Sequence, residues 1–251
     1  MLEPAIDHFG TLKESKFVQL VFEDARASMN EDPGVLAPSD AAIDEYQFYR
    51  QGVGFHLAHA LTWLDQLSFA VELLTNYDYS KKISASRADH LIYNIENYLV
   101  RVNAAYDRAL QLVNSVFHLC VHEEHVTHGV IVTNTKVQHR PTVVAKLKAL
   151  RKILDAYSQD RHTIIHKHSL LDAKMRRIEL FYQDAILDAM PAEKRANLKA
   201  FRATYLREFV VAKKQEFSNF NAKLALAVQD LFDVLAVEYT FQKAQFKARG
   251  F

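Results

Sequence analysis

The sequence predicts an all-α fold: an antiparallel bundle of about six or seven helices, with one short irregular or hairpin-like loop near residues 126–140. Three observations carry that expectation. Six Gly and five Pro in 251 residues leave few helix breakers. Ala, Leu, Lys and Glu, the residues that lose least on entering a helix, are abundant. Apolar side chains return every three or four positions along most of the chain.

Taken in order, about Thr11 to Met29 reads as a first helix, closed by the turn Asn30-Glu31-Asp32-Pro33-Gly34. Ser39 is the expected N-cap of a second, running to about Asn76 with a weak point at Gly52 and Gly54. Asn76-Tyr77-Asp78-Tyr79-Ser80 breaks it, and Ser84 or Ser86 can cap a long helix from about Arg87 to His122. The run Val130-Ile131-Val132-Thr133 is strand-like. Pro141 and Pro191 stand where first helical residues are expected. A helix carrying residues 161–182 follows the one from Pro141, and two final helices, Ala192–Lys214 and Asn219–Lys247, end the chain. No repeat, low-complexity tract or second boundary appears, so residues 1–251 read as a single domain.

Composition excludes several classes. A formal charge of +1 provides no global field to draw in nucleic acid, so any such contact must be local. The single cysteine, Cys120, excludes an intrachain disulfide and points to a reducing compartment. The acidic start Met1-Leu2-Glu3-Pro4-Ala5-Ile6-Asp7 lacks a signal-peptide core, and no apolar run approaches ~18 residues. The expectation is a soluble cytoplasmic protein without a membrane segment.

Helix faces sharpen this. Ile95, Leu99, Val102, Tyr106, Ala109, Val113, Val116 and Cys120 recur at three-four spacing and form the core face of the long helix. Glu96, Asn103, Asp107, Asn114, His118 and His125, at intervals of seven and four, make one polar stripe. A solvated face is one reading. The other is a groove that lines RNA or a nucleotide or meets a second subunit, because Asn, Asp and His suit hydrogen bonding more than plain solvation. His118, His122, His125 and His128 cluster at the end of this helix, and a His pair four apart can bind zinc. No Glu-x-x-His occurs, and His122-Glu123-Glu124-His125 is one residue short of the metalloprotease spacing, so no metal site or cofactor is assigned.

Arg161-His162-Thr163-Ile164-Ile165-His166 puts an Arg and a His on either side of four intervening residues. Together they suffice to cut RNA without a metal. A guanidinium grips the scissile phosphate bidentately, and an imidazole near neutrality moves the proton of the 2′-hydroxyl or the leaving oxygen. Similar spacings at Arg161/His168 and Arg50/His56 show that chance also makes such pairs. Ile164, Leu171, Met175, Ile178 and Tyr182 mark the core side of the motif helix. Thr163, Leu170, Arg177 and Phe181 form a second mixed stripe fit for a symmetric seam.

The long helix, the loop with short apolar runs, the helix from Pro141 and the Arg161…His166 motif resemble the HEPN family over about residues 84–187. That family comprises all-helical nucleotide-binding and ribonuclease domains, and the usual Asn or Asp after the Arg is His162 here. The resemblance treats the helix over 11–29 and those over 192–247 as additions. It implies a homodimer in which Arg161 of one copy meets His166 of the other, since the two lie about 140° apart on one helix. The expected function is a metal-independent endoribonuclease, with Arg161 and His166 catalytic and His162, His168, Asp107, Asn114 and His118 positioning RNA or nucleotide. An antitoxin or regulatory protein is a further expected partner. Two rivals stay open: a non-catalytic helical binding module, and a metal enzyme centred on His118–His128.

Overall fold

The computed structural model describes residues 7–31, 43–74, 85–166, 173–183 and 190–250, with backbone alone at 29–31 and 166. The helices among them are α1 Lys16–Glu31, α2 Glu45–Leu73, α3 Arg87–Val116, α4 His128–Thr133, α5 Thr135–Gln138, α6 Pro141–Leu154, α7 Ser158–His166, α8 Ala173–Leu180 and α9 Ala192–Ala248. The fold is an all-α bundle, as the sequence predicts, with no strand among the described residues. The expected turn at Asp32-Pro33-Gly34, the cap Ser39, the break at Asn76–Ser80, Ser84, His168, Leu170 and Leu171 lie outside the described residues.

Local chemistry sets the helix ends. Asp44 and Gln47 cap α2 reciprocally: Gln47 N–H donates to Asp44 Oδ1 (2.6 Å) and Asp44 N–H to Gln47 Oε1 (3.3 Å). Ser86 and Asp89 do the same for α3, at 3.1 and 2.7 Å. α2 runs unbroken through Gly52 and Gly54.

Three expectations are corrected. Residues 128–138 are two short helices instead of an irregular or hairpin-like loop. The Thr127 hydroxyl accepts from Val130 N–H and Asn134 Oδ1 from Lys136 N–H. Two caps seven residues apart override the β-preference of Val130-Ile131-Val132. The two C-terminal helices are one, α9, of 57 residues. No Gly or Pro interrupts it, and Phe217, Phe220 and Asn221 at the expected break are buried. Third, α3 stops at Val116, short of His122. His118 adopts φ 46° and becomes the left-handed C′ residue of a Schellman motif. Its N–H donates to Ser115 O and that of Leu119 to Asn114 O, both at 3.0 Å. Cys120, expected in the core, is exposed with φ 56° for the same reason. The other seven residues of the α3 core stripe are buried.

The chain forms two compact units. The motif unit comprises Met1–Asp7, Gln66–Asn103 and Ala156–Asn221; the histidine unit comprises His8–Asp65, Ala104–Asp155 and Ala222–Phe251. In the motif unit, Tyr98 is fully buried, stacks on Phe217 (centroids 3.8 Å) and donates its hydroxyl to Asn221 Oδ1 (2.9 Å). In the histidine unit, Phe17 packs on Phe232 and Tyr239 (5.4 and 6.0 Å). Buried Glu238 there is neutralised by Arg140 Nε at 2.8 Å.

Candidate functional site

α7 carries the Arg/His motif, and its base is anchored within the motif unit. Tyr157, just before the helix, packs edge-on against Phe220 (4.8 Å) and donates its hydroxyl to Glu216 Oε1 (3.0 Å). Its carbonyl accepts from Asn103 Nδ2 at 3.2 Å. Burial, then Glu216, raise the Tyr157 pKa, so the phenol stays protonated and keeps donating. Beyond that anchor the helix faces outward. Arg161, His162 and Ile165 are exposed, while Thr163 and Ile164 are half-buried. The backbone of His166 lies on the same helix as Arg161, about 7.5 Å further along its axis. Residues 167–172, between α7 and α8, lie outside the described residues; of the core side expected over residues 161–182, Ile164 and Tyr182 are half-buried and Met175 and Ile178 are buried.

Phe181 is buried within the motif unit, edge-on to Phe201 (5.7 Å) and Tyr205 (5.5 Å), so it does not form an exposed seam. An aromatic trio formed with the start of α9 has taken up the apolar residue that sequence spacing left over.

The polar stripe of α3 is divided. Glu96 and Asn103 belong to the motif unit, and Asp107, Asn114, His118 and His125 to the histidine unit. Asn103 also donates to Leu99 O (3.1 Å), so its amide ties α3 to Tyr157. Asp107 is exposed. Asn114 is 7% exposed and holds Val121 at two points: Nδ2 donates to the Val121 carbonyl (2.8 Å) and Oδ1 accepts its N–H (3.1 Å). His118 and His125 share no helical face with the stripe, because α3 has already ended.

The histidines of this segment go to different partners. His118 Nε2 donates to Glu45 Oε1 (3.1 Å), and its ring stands edge-on to Tyr49 (5.6 Å) and Phe246 (5.5 Å). Tyr106 O–H bonds His128 Nδ1. Burial pushes the Tyr106 pKa up to about 12 and the His128 pKa down, so the phenol donates and the imidazole accepts. His122 and His125 are exposed, their rings 6.0 Å apart. Among the described residues, no three His, Cys, Asp or Glu side chains converge to hold a metal ion.

Sequence spacing did not reveal an open cleft of about 480 Å³ in the histidine unit. Its lining includes Phe48, His56, Gln111, His118 and Cys120. Burial, first of all, lowers the His56 pKa, and Gln111 Oε1 is buried without a hydrogen-bond partner.

No helix of the described residues is long and apolar enough to cross a membrane. The model of the HEPN_Cthe2314-like HEPN family matches residues 64–231, about two thirds of the chain and the whole of α3 and α7. No curated protein and no solved structure matches.

Proposed function

The chain belongs to the HEPN family, and from that premise we propose that it is a metal-independent endoribonuclease acting as a homodimer. One observation carries the reading. Within the matched span, Arg161 stands exposed on α7, a helix fixed at its base by Tyr157, and the backbone of His166 belongs to that same helix. The guanidinium of Arg161 binds two oxygens of the scissile phosphate and stabilises the charge that develops there. The imidazole of His166 takes the 2′-hydroxyl proton or delivers one to the 5′-oxygen, and exposed His162 holds the strand. The adjacent 2′-oxygen is the nucleophile, so the products end in 2′,3′-cyclic phosphate and a 5′-hydroxyl. On an ideal helix, positions 161 and 166 lie about 140° apart, which favours Arg161 of one copy working with His166 of a second.

The test is cleavage of single-stranded RNA in excess EDTA. Arg161→Ala and His166→Ala should each lower the rate by about two to four decades. His56→Ala, the control for a chance Arg/His spacing, should leave it unchanged. Cleavage that survives the double substitution, or that EDTA abolishes, rejects this site. RNA that is bound but left intact by the wild type replaces the nuclease with a binding module.

A further inference from the structure

Phe48, Gly52 and His56 stand four residues apart on α2, and all three line the open cleft of the histidine unit. The glycine at the centre of that row answers no demand of the helix. Gly52 lies inside an unbroken helix, where glycine is the weakest choice short of proline. Its backbone is not left-handed. Among the described residues, a Cβ there would meet no atom nearer than Ser115 Oγ at 3.9 Å, an ordinary contact. What the missing side chain leaves is cleft space, a notch about 12 Å long between positions 48 and 56.

The opposite wall calls for a hydrogen-bond donor. Gln111 Nε2 donates to the Glu123 carbonyl (3.1 Å), which settles the orientation of the amide. Its Oε1 is buried and, among the described residues, accepts no hydrogen bond. A buried acceptor left unpaired is costly, and such a group marks where a donor belongs. Exposed Glu123 is the one carboxylate among the described lining residues, and none of them is Lys or Arg. Burial, first of all, lowers the His56 pKa, so at neutral pH that imidazole carries no charge against a cation. Phe48, 56% exposed, adds an aromatic face.

We propose that this cleft binds a small organic cation, a slim alkylamine whose carbon chain lies over Gly52 and whose ammonium groups donate to Gln111 Oε1 and the Glu123 carboxylate. The ring of Phe48 attracts the same charge through its face. An anion is turned away by the same groups. A nucleotide phosphate would meet a carboxylate and an unpaired carbonyl oxygen, with no lining Lys or Arg to neutralise it. All of these residues belong to the histidine unit, and Phe48, Gly52 and His56 precede the span matched to the family. The inference is independent of the ribonuclease reading.

The experiment is calorimetric titration of the full chain with spermidine, a linear triamine, at about 0.15 M salt, where diffuse attraction is screened. One equivalent should bind. It should also slow the alkylation by iodoacetamide of Cys120, the single thiol, which is exposed and lines the same cleft. Gly52→Leu fills the notch and should abolish binding while melting no lower than wild type, because leucine is the better helix former. Gly54→Leu is the control: position 54 is open space outside the cleft lining, and this variant should bind as the wild type does. Glu123→Gln, on an exposed residue, should weaken binding about tenfold, and it decides the matter if Gly52→Leu misfolds. Spermidine that does not bind, or that binds folded Gly52→Leu or Glu123→Gln as it binds wild type, overturns the proposal. So does equal loss in Gly54→Leu, or a Cys120 shielded by adenosine monophosphate instead of the amine.

Discussion

Replacing Asn114 with Leu separates an architectural role from an RNA-binding one at a single position. Asn114 occupies the third-from-last helical position of α3, its carbonyl accepts from Leu119, and its side chain closes on both backbone groups of Val121. These contacts hold a chain that leaves α3 through His118 at φ 46°, a conformation that costs a non-glycine residue about 1–2 kcal/mol. Leu keeps most of the volume and removes both side-chain hydrogen bonds, each contributing about 1 kcal/mol. Val121 is half-buried, so water recovers part of what is lost, and the expected destabilisation is about 1–2 kcal/mol. For a chain of this size that lowers Tm by about 2–8 °C. Hydrogen exchange reads the clasp directly: Val121 N–H should lose protection while Leu110 and Val113, inside α3, keep theirs. RNA affinity of the folded variant should be unchanged. Unaltered stability with a protected Val121 amide, or weakened RNA binding at full stability, would refute the reasoning and return Asn114 to the groove.

Two further outcomes follow from the packing and the titrations. Phe181→Asp should unfold the motif unit and cost about 3–5 kcal/mol, because it places a carboxylate between Phe201 and Tyr205. A normal melting curve with a halved mass would restore Phe181 to a subunit interface. The Tyr106–His128 pair should confer opposite pH limits on stability. The His128 pKa is lowered, so the unfolded chain takes up the proton first and stability falls as pH drops through about 6.5. The Tyr106 pKa is raised to about 12, so the unfolded phenol ionises first and stability falls as pH climbs from about 10 towards 12. His128→Asn should flatten the acid limb and Tyr106→Phe the alkaline one; melting curves parallel to wild type at both extremes would contradict the pair.

Fold class was readable because the α3 periodicity from Ile95 to Val116 matches the residues that are buried. Where α3 ends was not readable. The helix stops at a histidine in a left-handed conformation that glycine usually occupies, and Cys120 next to it reads as one more core position. Val130-Ile131-Val132 misled because side-chain branching is a weak preference against caps at Thr127 and Asn134. The break expected between Lys214 and Asn219 is absent, and Phe217 and Phe220 within and beside that stretch are buried. At the candidate site, Arg161 and His162 were legible as outward-facing residues. The sequestration of Phe181 was not, because its partners Phe201 and Tyr205 lie on another helix. The cleft was equally invisible, being assembled from segments some sixty residues apart in the chain.

α9 has a consequence for synthesis on the ribosome. Both units take core residues from it: the motif unit Phe209, Val210 and Phe217, the histidine unit Leu224, Leu231, Leu235 and Tyr239. Neither can bury its apolar surface while that helix is still in the exit tunnel. The nascent chain therefore carries α2, α3 and α7 without their final packing until α9 emerges, first the stretch that serves the motif unit and then the one that serves the histidine unit. A truncation that removes α9 leaves Tyr98 without Phe217 and Phe17 without Phe232, so a prematurely terminated chain exposes sticky aromatic surface and becomes a substrate for chaperones or proteases. Under the ribonuclease reading proposed above, cleavage that requires the anchored α7 would be withheld from the ribosome making the chain until that helix has been translated.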